Sequence, residues 1–354
     1  MSTKELRYIT LAQFIGCILV ILGHSYPFVT EYPSYIKDFR TFLYVFHMPL
    51  FVFCSGYLFS YTGQSSKYKF WSFTKNRALR LLVPYVALSL IGVFPKILFS
   101  SVLNDQLGMD GMSLLRAFLV PRENIWGHFW FLPMIFFMGI IFYVVERYLF
   151  REKSLLGKWG VLFLLLSILA IFHHPIPRLQ WFGINDICQF AWAYASGCLC
   201  YHLFGNIHQH FKASDTTITV VSCFGIVLIS VIWFVFGRNL PKLVGIGVNI
   251  LIAILMIGSV LLLCLSLEQH SKISRQSLLG QTYQIFILSW PCQLVAEVLL
   301  ERILHLQWWI IMPVVFATGV FLPLLLLRII DWFERKTSTR FLSFILGKKS
   351  LVYE

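Results

Sequence analysis

Charged residues are scarce in this chain: Lys, Arg, Asp and Glu together make up 13% of its 354 residues, about half the share of a soluble domain. With 58% hydrophobic residues and a mean hydropathy of +0.75, too little polar surface remains to cover a water-soluble globule. CxxC pairs and His/Cys ligand spacings are also lacking, which sets aside redox motifs and zinc sites, and no metal is expected. Cys17, Cys54, Cys188, Cys198, Cys223, Cys264 and Cys292 fall inside apolar segments and read as small core residues. No internal repeat, low-complexity tract or insertion of soluble-domain size interrupts the sequence, so 1–354 reads as a single membrane-embedded domain. Any chemistry has to come from helices and their ends. No Ala-x-Ala-like site follows Leu11 to Phe28, so the first apolar stretch is expected to be retained.

What the chain has in abundance is apolar stretches of about 20 residues, each able to cross a hydrocarbon core of roughly 30 Å as a helix. They fall near 8–28, 42–61, 79–100, 128–148, 159–173, 186–204, 217–236, 243–267, 278–300 and 308–331. The fold class is therefore an all-α integral membrane protein of about ten transmembrane helices. The formal charge of +13 sits in short loops between these stretches and not on one soluble face, which argues against nucleic acid as a partner. Lys4 and Arg7, Lys67 to Arg80, Arg147 to Lys158, Lys212, Lys272 with Arg275, and Arg328 to Lys349 fall on one side. The opposite loops hold fewer basic residues, and Lys37, Arg40 and Arg122 there are interspersed with Asp38, Asp105, Asp110 and Glu123. By the positive-inside rule both termini are expected to be cytoplasmic.

Polar groups at membrane depth are the informative ones. Gly23-His24-Ser25 closes the first span on its outer side, where an imidazole can act as a general base. His47, within Phe46-His47-Met48-Pro49-Leu50-Phe51, lies at a similar depth at the start of the second span, so the two imidazoles can face one cavity. Ser55-Gly56 suits close approach of a neighbouring helix. Arg77 and Arg80 sit three apart on one face at the cytoplasmic end of the third span, where two guanidinium forks suit a polyanionic donor. Gly127-His128-Phe129-Trp130-Phe131-Leu132-Pro133 forms an aromatic-rich turn suited to a sugar ring. Asp186 opens the sixth span and is a candidate for orienting a histidine, and Glu297 lies within the ninth. Gln13 precedes His24 by eleven residues, nearly three helical turns, which puts both on one face about 16 Å apart.

Four segments, taken together, resemble acyltransferase family 3 of membrane proteins, closest to its fucose 4-O-acetylase-like branch. They are Leu19-Val20-Ile21-Leu22-Gly23-His24-Ser25; Phe46 to Phe51 with Ser55-Gly56-Tyr57-Leu58; Arg77-Ala78-Leu79-Arg80 with Pro84-Tyr85; and His128 to Pro133. All lie in the motif-bearing part, 8–135. The resemblance implies transfer of an acyl group, usually acetyl from cytosolic acetyl-CoA, to a hydroxyl of a surface carbohydrate or its lipid-linked precursor. It implies His24 and His47 as catalytic residues, Arg77, Arg80 and Gln13 at the donor, and His128, Trp130 and Asp186 at the acceptor. The implied partners are the lipid bilayer of the cell (inner) membrane, acyl-CoA, the carbohydrate acceptor and glycan-assembly proteins. The chain departs from the family pattern at Gln13, where relatives carry Arg or Lys, and at Ser289, where many carry His. The same polar residues would also serve a carrier or flippase that moves a glycan or glycolipid without forming a bond.

Overall fold

A computed structural model describes residues 7–98, 111–150, 155–205, 215–270 and 279–348. Lys4, Asp105, Asp110, Lys212, Lys272, Arg275 and Lys349, which entered the loop-charge reading, lie outside the described residues. Among the described residues every regular element is helical. The long helices in chain order are α1 (Arg7–Gly23), α2 (Ser34–Thr62) and α3 (Phe70–Leu98), followed by a short α4 (Gly111–Leu119). Then come α5 (Phe131–Val144), α6 (Leu155–Phe172), α7 (Ile184–Phe204) and α8 (Asp215–Ile232). Last are α9 (Lys242–His270), α10 (Thr282–Glu297), α11 (Trp308–Thr337) and a short α12 (Phe341–Ile345).

A helical stretch stands at each expected apolar segment, and among the described residues seven helices are long and apolar enough to cross a membrane. Arg7–Gly23 and Leu156–Phe172 are apolar but shorter. The outward faces confirm the solvent: Val161, Leu164 and Ile168 on α6, Val220, Phe224 and Val227 on α8, and Phe321, Leu325 and Ile329 on α11 are all exposed. Such continuous apolar surface is untenable in water and is what a bilayer covers. The chain is an all-α integral membrane protein.

Three expected boundaries are corrected. The second helix begins at Ser34 instead of 42, and the third at Phe70 instead of 79. Charged residues there had read as loop, yet they reach out of the helix ends: Arg238 donates to Asp38 at 2.5 Å, and Arg40 lies over the Tyr26 and Tyr44 rings. The segment 62–78 is therefore largely helical. It turns at Gly63, whose φ of 58° suits a glycine, and includes one helical turn, Gln64–Lys67. The first helix, for its part, ends at Gly23, which leaves His24 in the turn beyond it.

Packing centres on α2 and α7. A Cβ at Gly56 would run into the Tyr194 carbonyl and one at Gly197 into that of Phe53, while Cys198 donates its thiol to the Gly56 carbonyl. Small residues thus let two backbones meet, as the Ser55-Gly56 pair suggested. Beside α3, Asn124 donates to Ser89 and Ala117 and accepts from the Trp126 N–H, and Tyr85 donates to the Phe118 carbonyl. These bonds seat the segment that leads into His128. On its exposed side Arg116 grips both oxygens of Glu123 and holds that carboxyl below its usual range.

Candidate active site

α1 and α2 run in opposite directions, as do α2 and α3, so the end of α1 and the start of α3 lie at opposite ends of the bundle. His24 belongs to the first end and Arg77 with Arg80 to the second.

At the first end His24 is held from two sides. On one, Tyr44 of α2 donates to the Gly23 carbonyl at 3.3 Å and sets its ring edge-on to the imidazole, centroids 6.0 Å apart. On the other, Trp290 of α10 packs edge-on at 4.7 Å. Gln293, one turn further along α10, donates to the Ile21 carbonyl at 2.8 Å and to the Ser25 hydroxyl at 2.9 Å. The Ser25 hydroxyl in turn donates to the Ile21 carbonyl. Glu301 gathers the N–H groups of Phe28, Val29 and Thr30 and fixes the chain that follows. A residue outside any helix is thereby given a fixed place.

Two further histidines close on this point. His47 is fully buried and lies 13 positions into α2. Its Nδ1–H donates to the Leu43 carbonyl, which leaves Nε2 as the lone-pair nitrogen, and that atom has no hydrogen-bond partner. The Tyr44 ring stands 4.8 Å from it and so touches both His24 and His47. His128 comes from the turn Gly127–Trp130; its ring is 6.4 Å from His24 and 5.7 Å from Trp290, and neither of its nitrogens is hydrogen-bonded. Buried polar atoms without partners are uncommon and costly, so these nitrogens suit a ligand. Partly exposed His24, with Nε2 of His47 and the nitrogens of His128, can accept and pass a proton from a hydroxyl brought among them.

At the second end Arg77 turns inward and donates to the Ile135 carbonyl at 2.6 Å, with Gly139 providing the space for its guanidinium. Arg80 is exposed and lies over the Tyr283 ring at 5.8 Å. With Asn76, Gln64 and Lys348 they line a cleft of about 110 Å³. Lys348 is itself paired with Asp331 at 2.5 Å. Tyr283 donates to the Arg80 carbonyl and ties α10 to this mouth. Such a cationic rim suits phosphate groups.

The structure places His24 and His47 against the same Tyr44 ring and brings His128 beside them, and Arg77 and Arg80 line one cleft. Gln13 stands half-buried on α1 between the two ends. Asp186 does not sit beside a histidine of the cluster; the histidine near it is His173, and the buried Asp186 carboxylate takes the Arg122 fork at 2.9 and 2.5 Å. Arg122 also lies 4.0 Å over the Trp130 ring, which stacks on Phe190. Trp130 and Asp186 thus form one unit, and the ring's faces are taken by protein groups and not offered to a sugar. Tyr44, Arg40, Trp290, Gln293 and Glu301 were missed. Gln293, Glu297 and Glu301 recur every four residues along an apolar span, a readable signal of a polar face turned toward a partner.

A polytopic membrane protein with a histidine cluster at one end and an arginine cleft at the other is the class these features define. The family model described as "Acyltransferase domain" matches residues 6–328, and the chain belongs to acyltransferase family 3. It is a membrane acyltransferase. Comparison with curated proteins and with solved structures gave no match.

Proposed function

We propose that this acyltransferase moves an acetyl group from cytosolic acetyl-CoA to a hydroxyl of a surface carbohydrate or its lipid-linked precursor. The observation that carries the reading is the separation of two unlike sites in one bundle: a phosphate-suited arginine cleft and, at the far end, three histidines around one point. Arg77 and Arg80 bind the donor's phosphates, with Gln13 along the path between the ends. His24 takes the proton of the acceptor hydroxyl as its oxygen bonds to the acyl carbon, the thioester C–S bond breaks, and the CoA thiolate leaves and is protonated. His47 and His128 assist at the hydroxyl, while Trp130 and Asp186 shape the wall behind it. The unpartnered nitrogens of His47 and His128 favour this assignment over a mere packing role.

The placement follows from the same reading: ten spans in the cell (inner) membrane, the arginine cleft and both termini on the cytoplasmic side, and the histidines on the outer side, where glycan-assembly proteins supply the acceptor. Acetyl content of surface glycans, measured by mass spectrometry in cells with and without the gene, tests it. Loss of an O-acetyl signal that only the wild-type gene restores is the expected result. Unchanged acetylation with glycan trapped inside the cell would replace the transferase by a carrier.

A further inference from the structure

We infer that the acceptor's sugar occupies a lateral cavity between α2, α6, α7 and α9, and that this cavity selects an uncharged monosaccharide unit; the inference rests on the acyltransferase reading above. The cavity measures about 270 Å³ and is open on one side, so one sugar ring can seat in it while the rest of a glycan stays outside. Its wall nearest the histidines is Tyr44, whose ring touches both His24 and His47 and is 39% exposed because the cavity opens onto it. The histidines stand behind that ring and not in the lining itself, so Tyr44 is the one side chain shared by the cavity and the cluster.

The lining explains the chemistry. Tyr44 offers exposed aromatic surface for the C–H face of a pyranose, with the buried Phe190 and Trp192 as the floor behind it. Thr41, Gln189 and Asn249 supply hydrogen-bonding groups for its hydroxyls. The Asn249 oxygen accepts from the Trp233 indole N–H, which fixes the amide so that its NH2 is the donor presented. The residues lining the cavity include no Asp, Glu, Lys or Arg. Arg40, the cation against the Tyr44 ring, is not among the lining residues, so a uronic or sialic acid carboxylate would lose hydration here with no direct ion pair, which is unfavourable. An alkyl chain fares no better, since it would strip water from the amides and hydroxyls and return no hydrogen bond. Phe190 also stacks on Trp130, so the Arg122–Trp130–Asp186 unit braces this wall from behind.

The test uses the full chain in lipid nanodiscs free of glycosidic detergent, with tritiated methyl glycosides of glucose, galactose and fucose and with methyl glucuronide as probes. Expected are saturable binding of at least one neutral glycoside, about tenfold weaker binding of the glucuronide, and about tenfold weaker neutral binding in Gln189→Leu or Thr41→Val. Both positions are exposed to the cavity, so the variants keep the wild-type melting temperature. Absence of neutral binding, equal affinity for the glucuronide, or affinity unmoved by both substitutions overturns the inference. Binding as expected, but without acetyl-CoA-dependent release of CoA thiol, supports the cavity as a sugar site and refutes the transferase reading instead.

Discussion

The two ends of the bundle hold their polar groups in opposite ways. At the histidine end His47 and His128 are buried among aromatic rings and carry nitrogens without partners. At the arginine end Arg80 is exposed and Lys348 pairs with Asp331, while Arg77 donates to Ile135 and keeps only its Nε buried without a partner, all three lining an open cleft. Imidazoles can be kept dry because they need carry no charge, and poorly hydrated surroundings strengthen the hydrogen bonds they offer a reacting hydroxyl. Permanent cations stay near water, because their burial costs more than any single contact returns. The contrast separates proton chemistry from anion binding, and it can be broken from either side.

The largest effect is expected at the histidine end. His24→Ala removes the partly exposed imidazole and should lower the rate of acetyl transfer about 10²–10⁴-fold, the usual worth of a general base. Expression and the KM for acetyl-CoA should stay at wild-type values, because the arginine cleft lies at the far end. Transfer at the wild-type rate would remove His24 from the chemistry.

From the other side, Arg77→Lys and Arg80→Ala should raise the KM for acetyl-CoA about 10–100-fold, the loss of a charge-assisted phosphate contact being about 1.5–3 kcal/mol. The acceptor KM should not move. Steady-state kinetics with each substrate varied in turn reads both numbers, and a shift in acceptor KM alone would dissolve the distinction between the ends.

Much of this division was legible before the fold was known. His24, His47 and His128 announce themselves as imidazoles at membrane depth, and Arg77 with Arg80 as a helical pair at a span's end. The role of Asp186 was not legible, since its partner Arg122 is 64 positions away and nothing local distinguishes a carboxylate facing an arginine from one facing a histidine. Tyr44 and Arg40 stood beside charges that suggested a loop, yet α2 extends through them because those charges have partners beyond its own turns. Trp290 became a wall of the site through the approach of α10 to α1, a tertiary fact that no local pattern encodes.

A substitution that strikes both ends at once marks the control. Gly56→Ala places a methyl group against the Tyr194 carbonyl, where backbone and not a yielding side chain stands in the way. A destabilisation of about 1–3 kcal/mol is expected, read as a lower melting temperature in nanodiscs, with both KM values disturbed together. An unchanged melting temperature would mean that α2 and α7 are not in backbone contact.

The smallest expected effect is also the most discriminating. Gln293 touches neither His24 nor the cleft; it donates to the Ile21 carbonyl and the Ser25 hydroxyl and thereby holds the turn between them. It is a positioning residue. Gln293→Met keeps the length of the side chain, and its packing against Gly319, while removing both donor hydrogens. Two hydrogen bonds at about 0.5–1.5 kcal/mol each bound the loss at about 1–3 kcal/mol, and because Gln293 acts on His24 only through the turn, about a tenfold fall in kcat, worth about 1.4 kcal/mol, is expected. The KM for acetyl-CoA should hold, since the turn is remote from Arg77 and Arg80, and Gln293→Asn, which retains the donors on a shorter arm, should recover part of the rate. A general loosening of the bundle would instead raise both KM values and leave Asn no better than Met, so the split between kcat and KM decides whether α10 orders His24 or merely packs beside it.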